Sequence, residues 1–229
     1  MKKLLIPIPG AASIKLYKGQ IRFLISLGMF SVLLLFAGQP ALAHHAFAGK
    51  IPTNMFEGFL SGLAHPVIGV DHFAFVVAVG LLAALKASKG GIFIPIGFVI
   101  ATLLGTGIHL QAVDLPYPEV IISASVVLFG IMLAIKDAPQ VGWLIGAAAV
   151  AGIFHGYAYG ESIVGAQMTP LVSYLAGFAA IQLVVALIGF QIGKLTLQKV
   201  TDQPSVMLRY AGFTICGAGI AFLSSALLK

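Results

Sequence analysis

The sequence predicts an all-α, polytopic membrane protein, with six transmembrane helices after an N-terminal signal sequence. Three observations carry that prediction. Apolar residues make up 59% of the chain and charged residues 9%, with a mean hydropathy of +1.05, whereas soluble domains run at about 45–50% and about 25%. The apolar residues fall into stretches near the roughly 20 residues that cross a hydrocarbon core. The Lys and Arg residues between those stretches alternate between rich and poor loops, the charge pattern that orients membrane helices.

The leader comes first. Lys2, Lys3, Lys15, Lys18 and Arg22 precede an apolar run from Phe23 to Gly38, and Gln39-Pro40-Ala41-Leu42-Ala43 follows with the small-x-small pattern that signal peptidase reads. Residues 1–43 therefore read as a signal peptide, the alternative being an uncleaved helix, and residues 44–229 as a six-helix transmembrane domain. Either way residue 44 lies outside the cytoplasm. The formal charge of +6 belongs mostly to this leader, since beyond residue 43 eight basic residues face seven acidic ones. A nucleic-acid partner is not indicated. The single cysteine, Cys216, supports neither a disulfide framework nor a thiolate cluster within one chain.

Hydropathy places the six spans at about 66–85, 91–110, 118–135, 141–159, 170–193 and 207–227. Residues 54–62 are too polar to extend the first span and read as a short amphipathic or re-entrant helix; Gly62, Pro66 and Gly69 favour a broken or kinked approach to it. One set of loops holds Lys86, Lys89, Lys136, Lys194, Lys199 and Arg209, and the other set with the termini holds Lys50 and Lys229. The first set is assigned to the cytoplasm of a plasma or inner membrane, which leaves the mature N-terminus and the C-terminus extracytoplasmic. Spans 1–3 and 4–6 then run in opposite directions with a polar motif on the first helix of each, the pattern of a 3+3 inverted repeat.

The first motif is His65-Pro66-Val67-Ile68-Gly69-Val70-Asp71-His72 and the second is His155-Gly156-Tyr157-Ala158-Tyr159-Gly160-Glu161. Ionisable groups in apolar spans are costly and mark function by default. Imidazoles and carboxylates without thiolates suit Ni²⁺, Co²⁺ or Zn²⁺. On a regular helix His65 and His72 would share a face but lie about 10 Å apart along the axis, too far to ligate one ion at about 2 Å. A shared site therefore requires the chain near Pro66 and Gly69 to leave ideal helix. Asp71 is read as a direct ligand or as the acceptor that fixes the His72 tautomer. His155 and Tyr159 share a face, while Gly156 and Gly160 let another helix pack closely. His44 and His45 form either a loose metal collector or a plain tail; His109 reads first as a packing histidine, and Glu161 as a ligand or a solvated group. Protonated imidazole does not bind metal, so binding is expected to weaken as pH falls through about 6.5.

These residues carry a resemblance. The run from His65 to His72, with small and apolar residues following to Gly80, resembles the signature of the HupE/UreJ family, and Phe154 to Glu161 resembles that family's second motif. The resemblance implies a secondary permease for nickel, in some members cobalt, that supports hydrogenase or urease maturation. It places His65, Asp71 and His72 in one functional motif and His155 and Glu161 in the other. The chain departs at Tyr159, where the family usually has a histidine; a phenol is a poor ligand for Ni²⁺. His44, His45, His109 and Tyr159 remain auxiliary donors. The expected partners are the lipid bilayer and a divalent metal ion, with Ni²⁺ or Co²⁺ as transported substrate and no prosthetic group. No P-loop is present, so the membrane potential or an ion gradient would drive transport. Two other readings stay open: an intramembrane zinc-dependent hydrolase using Asp71 or Glu161 as base, and a membrane scaffold or metal chaperone.

Overall fold

The computed structural model describes Leu4–Ile6, Ile14–Leu16 and residues 50–199 and 204–228. The signal-peptide assignment, His44 and His45 lie outside the described residues. The two leader segments form short antiparallel strands, β1 (Leu4–Ile6) and β2 (Ile14–Leu16). Among the described residues from 50 onward the body is all-α, with seven helices: α1 Met55–Ile68, α2 Val70–Leu85, α3 Phe93–Leu110, α4 Pro118–Ala134, α5 Val141–Glu161, α6 Met168–Lys199 and α7 Pro204–Leu227.

The first membrane segment differs from the expected helix over 66–85. Asn54 caps α1 by accepting from the Glu57 amide at 3.0 Å, and the Glu57 carboxylate reaches back to the Thr53 amide at 2.8 Å, a reciprocal arrangement that starts a helix firmly. That helix continues through Pro66 and stops at Gly69, whose backbone is extended (φ −70°, ψ 96°). α2 then leaves at 80° to α1. Pro66 supplies no amide for the helical ladder, so the turn it closes is the weakest place in the segment. Asp71 stabilises the restart, its Oδ1 accepting the His72 amide at 2.8 Å in the first turn of α2.

Among the described residues, four helices are long and apolar enough to cross a membrane: α3, α5, and the Met168–Gln198 and Val206–Leu227 parts of α6 and α7. The bent α1–α2 pair adds a fifth segment, and α4 is apolar but shorter, at 17 residues. Large apolar side chains such as Phe93, Ile100, Leu104, Trp143, Val150, Ile188, Ile192 and Phe213 face outward. For a chain of this composition that surface faces lipid.

Three intimate pairings build the body: α3 with α5, α4 with α7, and α6 alongside both α1 and α2. Glycine makes the approach possible. A Cβ at Gly156 would collide with the Thr102 carbonyl, and one at Gly105 with the Ile153 carbonyl, so α3 and α5 meet backbone to backbone. Gly80 against Ala186 and Gly130 against Cys216 do the same for α2–α6 and α4–α7. At one end of the bundle Lys86 Nζ donates to the Ala138 carbonyl and Arg209 Nε to the Ala134 carbonyl, each at 2.7 Å. Those cations sit where the helix dipole of α4 ends. The core between the pairs is a stack of Phe75, Phe98 and Phe129 with Val79, Leu82, Leu133 and Leu144.

Candidate metal site

The 80° bend at Gly69 changes what His65 and His72 can do together. Their ring centroids lie 6.2 Å apart, edge to face, and both side chains are 2% exposed. Two imidazoles bound to one ion through nitrogens at about 2 Å place their centroids roughly 4.5–6.5 Å apart. The break therefore brings the two rings to a separation that a straight helix would not allow. Tyr159 from α5 lies against both rings, at 5.1 Å from His65 and 4.6 Å from His72.

His155 joins from α5, fully buried, with its Nδ1 2.7 Å from the Nδ1 of His72. The hydrogen bonds around His155 constrain where its proton sits. Ser125 of α4 donates to the Ile122 carbonyl at 2.6 Å, so its oxygen accepts from His155 Nε2–H at 3.0 Å. The neutral His155 ring then carries its lone pair on Nδ1, which accepts from His72 Nδ1–H. His72 is left with its lone pair on Nε2. His65 Nδ1 lies 3.0 Å from the Ser162 hydroxyl and 3.2 Å from that of Tyr174, and those hydroxyls lie 2.9 Å from each other and 3.1 and 2.8 Å from the Tyr159 carbonyl.

Both nitrogens of His155 are hydrogen-bonded, to His72 and to Ser125, an arrangement suited to holding the His72 ring in one orientation. Asp71 is partly exposed and spends Oδ1 on the helix start. Glu161 is exposed at the end of α5. His109 stacks on Tyr157 at 4.4 Å. Among the described residues no group of three or more His, Cys, Asp and Glu side chains gathers to hold an ion. An ion held by two imidazoles keeps water in its remaining positions, unlike the four protein ligands of a structural zinc site.

Several buried polar groups at or near these rings were not picked out from the sequence: Ser125, Ser162 and Tyr174, which bond the histidines, and Thr102 and Gln182 farther along the helices. Gln182 had a readable signal, an amide inside the apolar run of α6, where polarity is as costly as at the histidines. The hydroxyls had almost none, because Ser and Thr satisfy themselves on a carbonyl of the preceding turn, as Ser125, Ser162 and Thr102 do. Among the buried side-chain atoms that find no hydrogen-bond partner among the described residues are the Tyr159 hydroxyl, Gln182 Oε1 and His109 Nδ1. Leaving such a group unsatisfied costs about 1–3 kcal/mol.

Comparison with known proteins places these motifs in context. The family described as HupE / UreJ protein matches residues 32–222. Protein HupE of Rhizobium leguminosarum bv. viciae is 30% identical over 170 residues, which cover 73% of this chain and 85% of that protein. No solved structure matches the chain.

Proposed function

This chain belongs to the HupE/UreJ family, and we propose that it is a secondary transporter of a divalent transition-metal cation, nickel or cobalt, across the plasma or inner membrane. The family is associated with nickel and cobalt transport in hydrogenase and urease systems, and that maturation role is the one proposed for this multi-pass membrane protein. The observation that carries the reading is the convergence of His65 and His72 across the break at Gly69, their ring centroids 6.2 Å apart, inside an apolar body. Two imidazoles hold a cation without burying it in a closed ligand shell, as a carrier that must release its cargo requires.

In this reading α4 is a sixth span beside the longer helices and the bent pair. The helix pairings support the 3+3 repeat. Exchanging the halves maps the α2–α6 pair onto α5–α3 and the α4–α7 pair onto itself. The first two pairs run parallel, as Val77 by Gly189 and Ala84 by Gly193 indicate on one side and Gly152 by Phe98 and Gly160 by His109 on the other. The third runs antiparallel, Val127 by Gly219 and Ala134 by Gly212, as a self-mapping pair must. His72 and His155 then stand on equivalent helices and meet where the halves join. Rocking of one half against the other would open the histidines to each side in turn. A divalent cation entering a negative interior gains about 4.6 kcal/mol per 100 mV, twice the single-charge value.

The test is uptake of radiolabelled nickel and cobalt into liposomes holding the purified full chain, with an imposed inside-negative potential. The parent is expected to accumulate metal, and His65→Ala and His72→Ala each to lose at least about tenfold, the worth of one lost ligand hydrogen-bond-scale interaction. Metal binding with no flux in the parent would favour the scaffold reading. Uptake by both variants equal to the parent's would remove these histidines from the site.

A further inference from the structure

From two buried groups that lack a hydrogen-bond partner among the described residues we infer that Gln182 and Tyr159 form a seat for the water ligands of the cation, so that the site takes a partly hydrated divalent ion. The inference rests on the transport reading and deepens it. An ion bound by two imidazoles keeps several waters, and metal-bound water is a strong hydrogen-bond donor that needs acceptors. The site offers two. The Tyr159 hydroxyl lies in the ring that touches both His65 and His72, is fully buried and has no hydrogen-bond partner among the described residues.

Gln182 stands one turn along α6 from Phe178, whose ring packs on Tyr159 at 5.4 Å. Its amide nitrogen is held twice, by the Phe178 carbonyl at 3.0 Å and the Thr102 hydroxyl at 3.4 Å. Those bonds aim the amide and leave Oε1, an acceptor, without a partner among the described residues at 0% exposure. Thr102 itself packs on Gly156, next to His155. The amide is thus bracketed by neighbours of the tyrosine and of the paired histidines. Packing alone does not account for it, because Leu or Met would fill the same volume in an apolar helix without stranding an acceptor. A phenol and a carboxamide are weak direct ligands for a borderline ion but suitable partners for its coordinated water.

The experiment titrates the purified full chain in detergent micelles with nickel chloride and follows heat, alongside thermal unfolding without metal. Gln182→Met and Tyr159→Phe are each expected to weaken binding about tenfold, the effect of one hydrogen bond worth 1.4 kcal/mol, with unfolding temperature unchanged or raised. Gln182→Glu retains an acceptor oxygen and is expected to restore binding to within about threefold of the parent. A structural role gives the opposite pattern: unfolding temperature falls while affinity holds. That pattern, or variants that bind as the parent does, overturns the hydrated-ion seat alone. A parent that binds no nickel or cobalt overturns this inference and the transport reading together.

Discussion

Ser125 decides what His155 can do. Its hydroxyl hydrogen goes to the Ile122 carbonyl, so it can only accept from His155, and that choice sets the lone pair facing His72. Removing the oxygen by Ser125→Ala frees His155 to donate from either nitrogen. Imidazole nitrogen-15 spectra of the variant are expected to show mixed tautomers for His155 and a several-fold loss of nickel affinity; a single unchanged tautomer would remove Ser125 from the site. The histidines were legible in the sequence because an ionisable group in an apolar span needs a reason. Ser125 was not, because a serine that bonds its own preceding turn costs a membrane helix little. Tyr159 was legible as an oddity, yet its place against both His65 and His72 depends on packing between distant segments.

At the scale of elements, the break between α1 and α2 is the part that makes a site. Pro66 and Gly69 marked it in the sequence, but the angle and the 6.2 Å ring separation follow from how α6 packs along both arms of the bend. A Cβ at Gly69 would stand 2.6 Å from Cδ2 of His72. Because the obstacle is a side-chain ring, Gly69→Ala is expected to fold, to keep its helical circular dichroism and to bind nickel roughly tenfold more weakly through a displaced His72. The tight face of α5 behaves differently. Gly156→Leu drives a side chain into the Thr102 backbone and is expected to destabilise by at least about 1–3 kcal/mol in denaturant titration. Gly142→Ala and Gly146→Ala, on the same helix but with open space around them, are expected to be neutral or stabilising by about 0.5–1 kcal/mol. Equal destabilisation at all three positions would dissolve the paired-helix account.

For the whole molecule, the charge count and the contacts agree on which loops share an end. Lys86 reaches Ala138 and Arg209 reaches Ala134, so loops separated by up to 75 residues meet at one end of the bundle. The His65, Ser162 and Tyr174 cluster ties α1, α6 and the segment after α5 together elsewhere. With Cys216→Ser as background, a cysteine at Ala138 is expected to react with an impermeant maleimide only from the cytoplasmic side, and one at Asp114 only from outside. Reaction of both from the same side would overturn the six-span topology and the inverted repeat with it.

Composition, span spacing and the two histidine motifs are properties of short stretches, and local chemistry fixes them: apolar runs must be helical in lipid because their amides have no other partner. The class, the family likeness and the suspicion of a cation were therefore present in the chain as written. Which partners each histidine meets, that Glu161 is exposed, and that Gln182 is buried beside Thr102 depend on contacts between segments up to 109 residues apart in sequence, such as Tyr174 with His65. Only close packing across the glycine faces brings those partners together, and no periodicity within one helix encodes its neighbour.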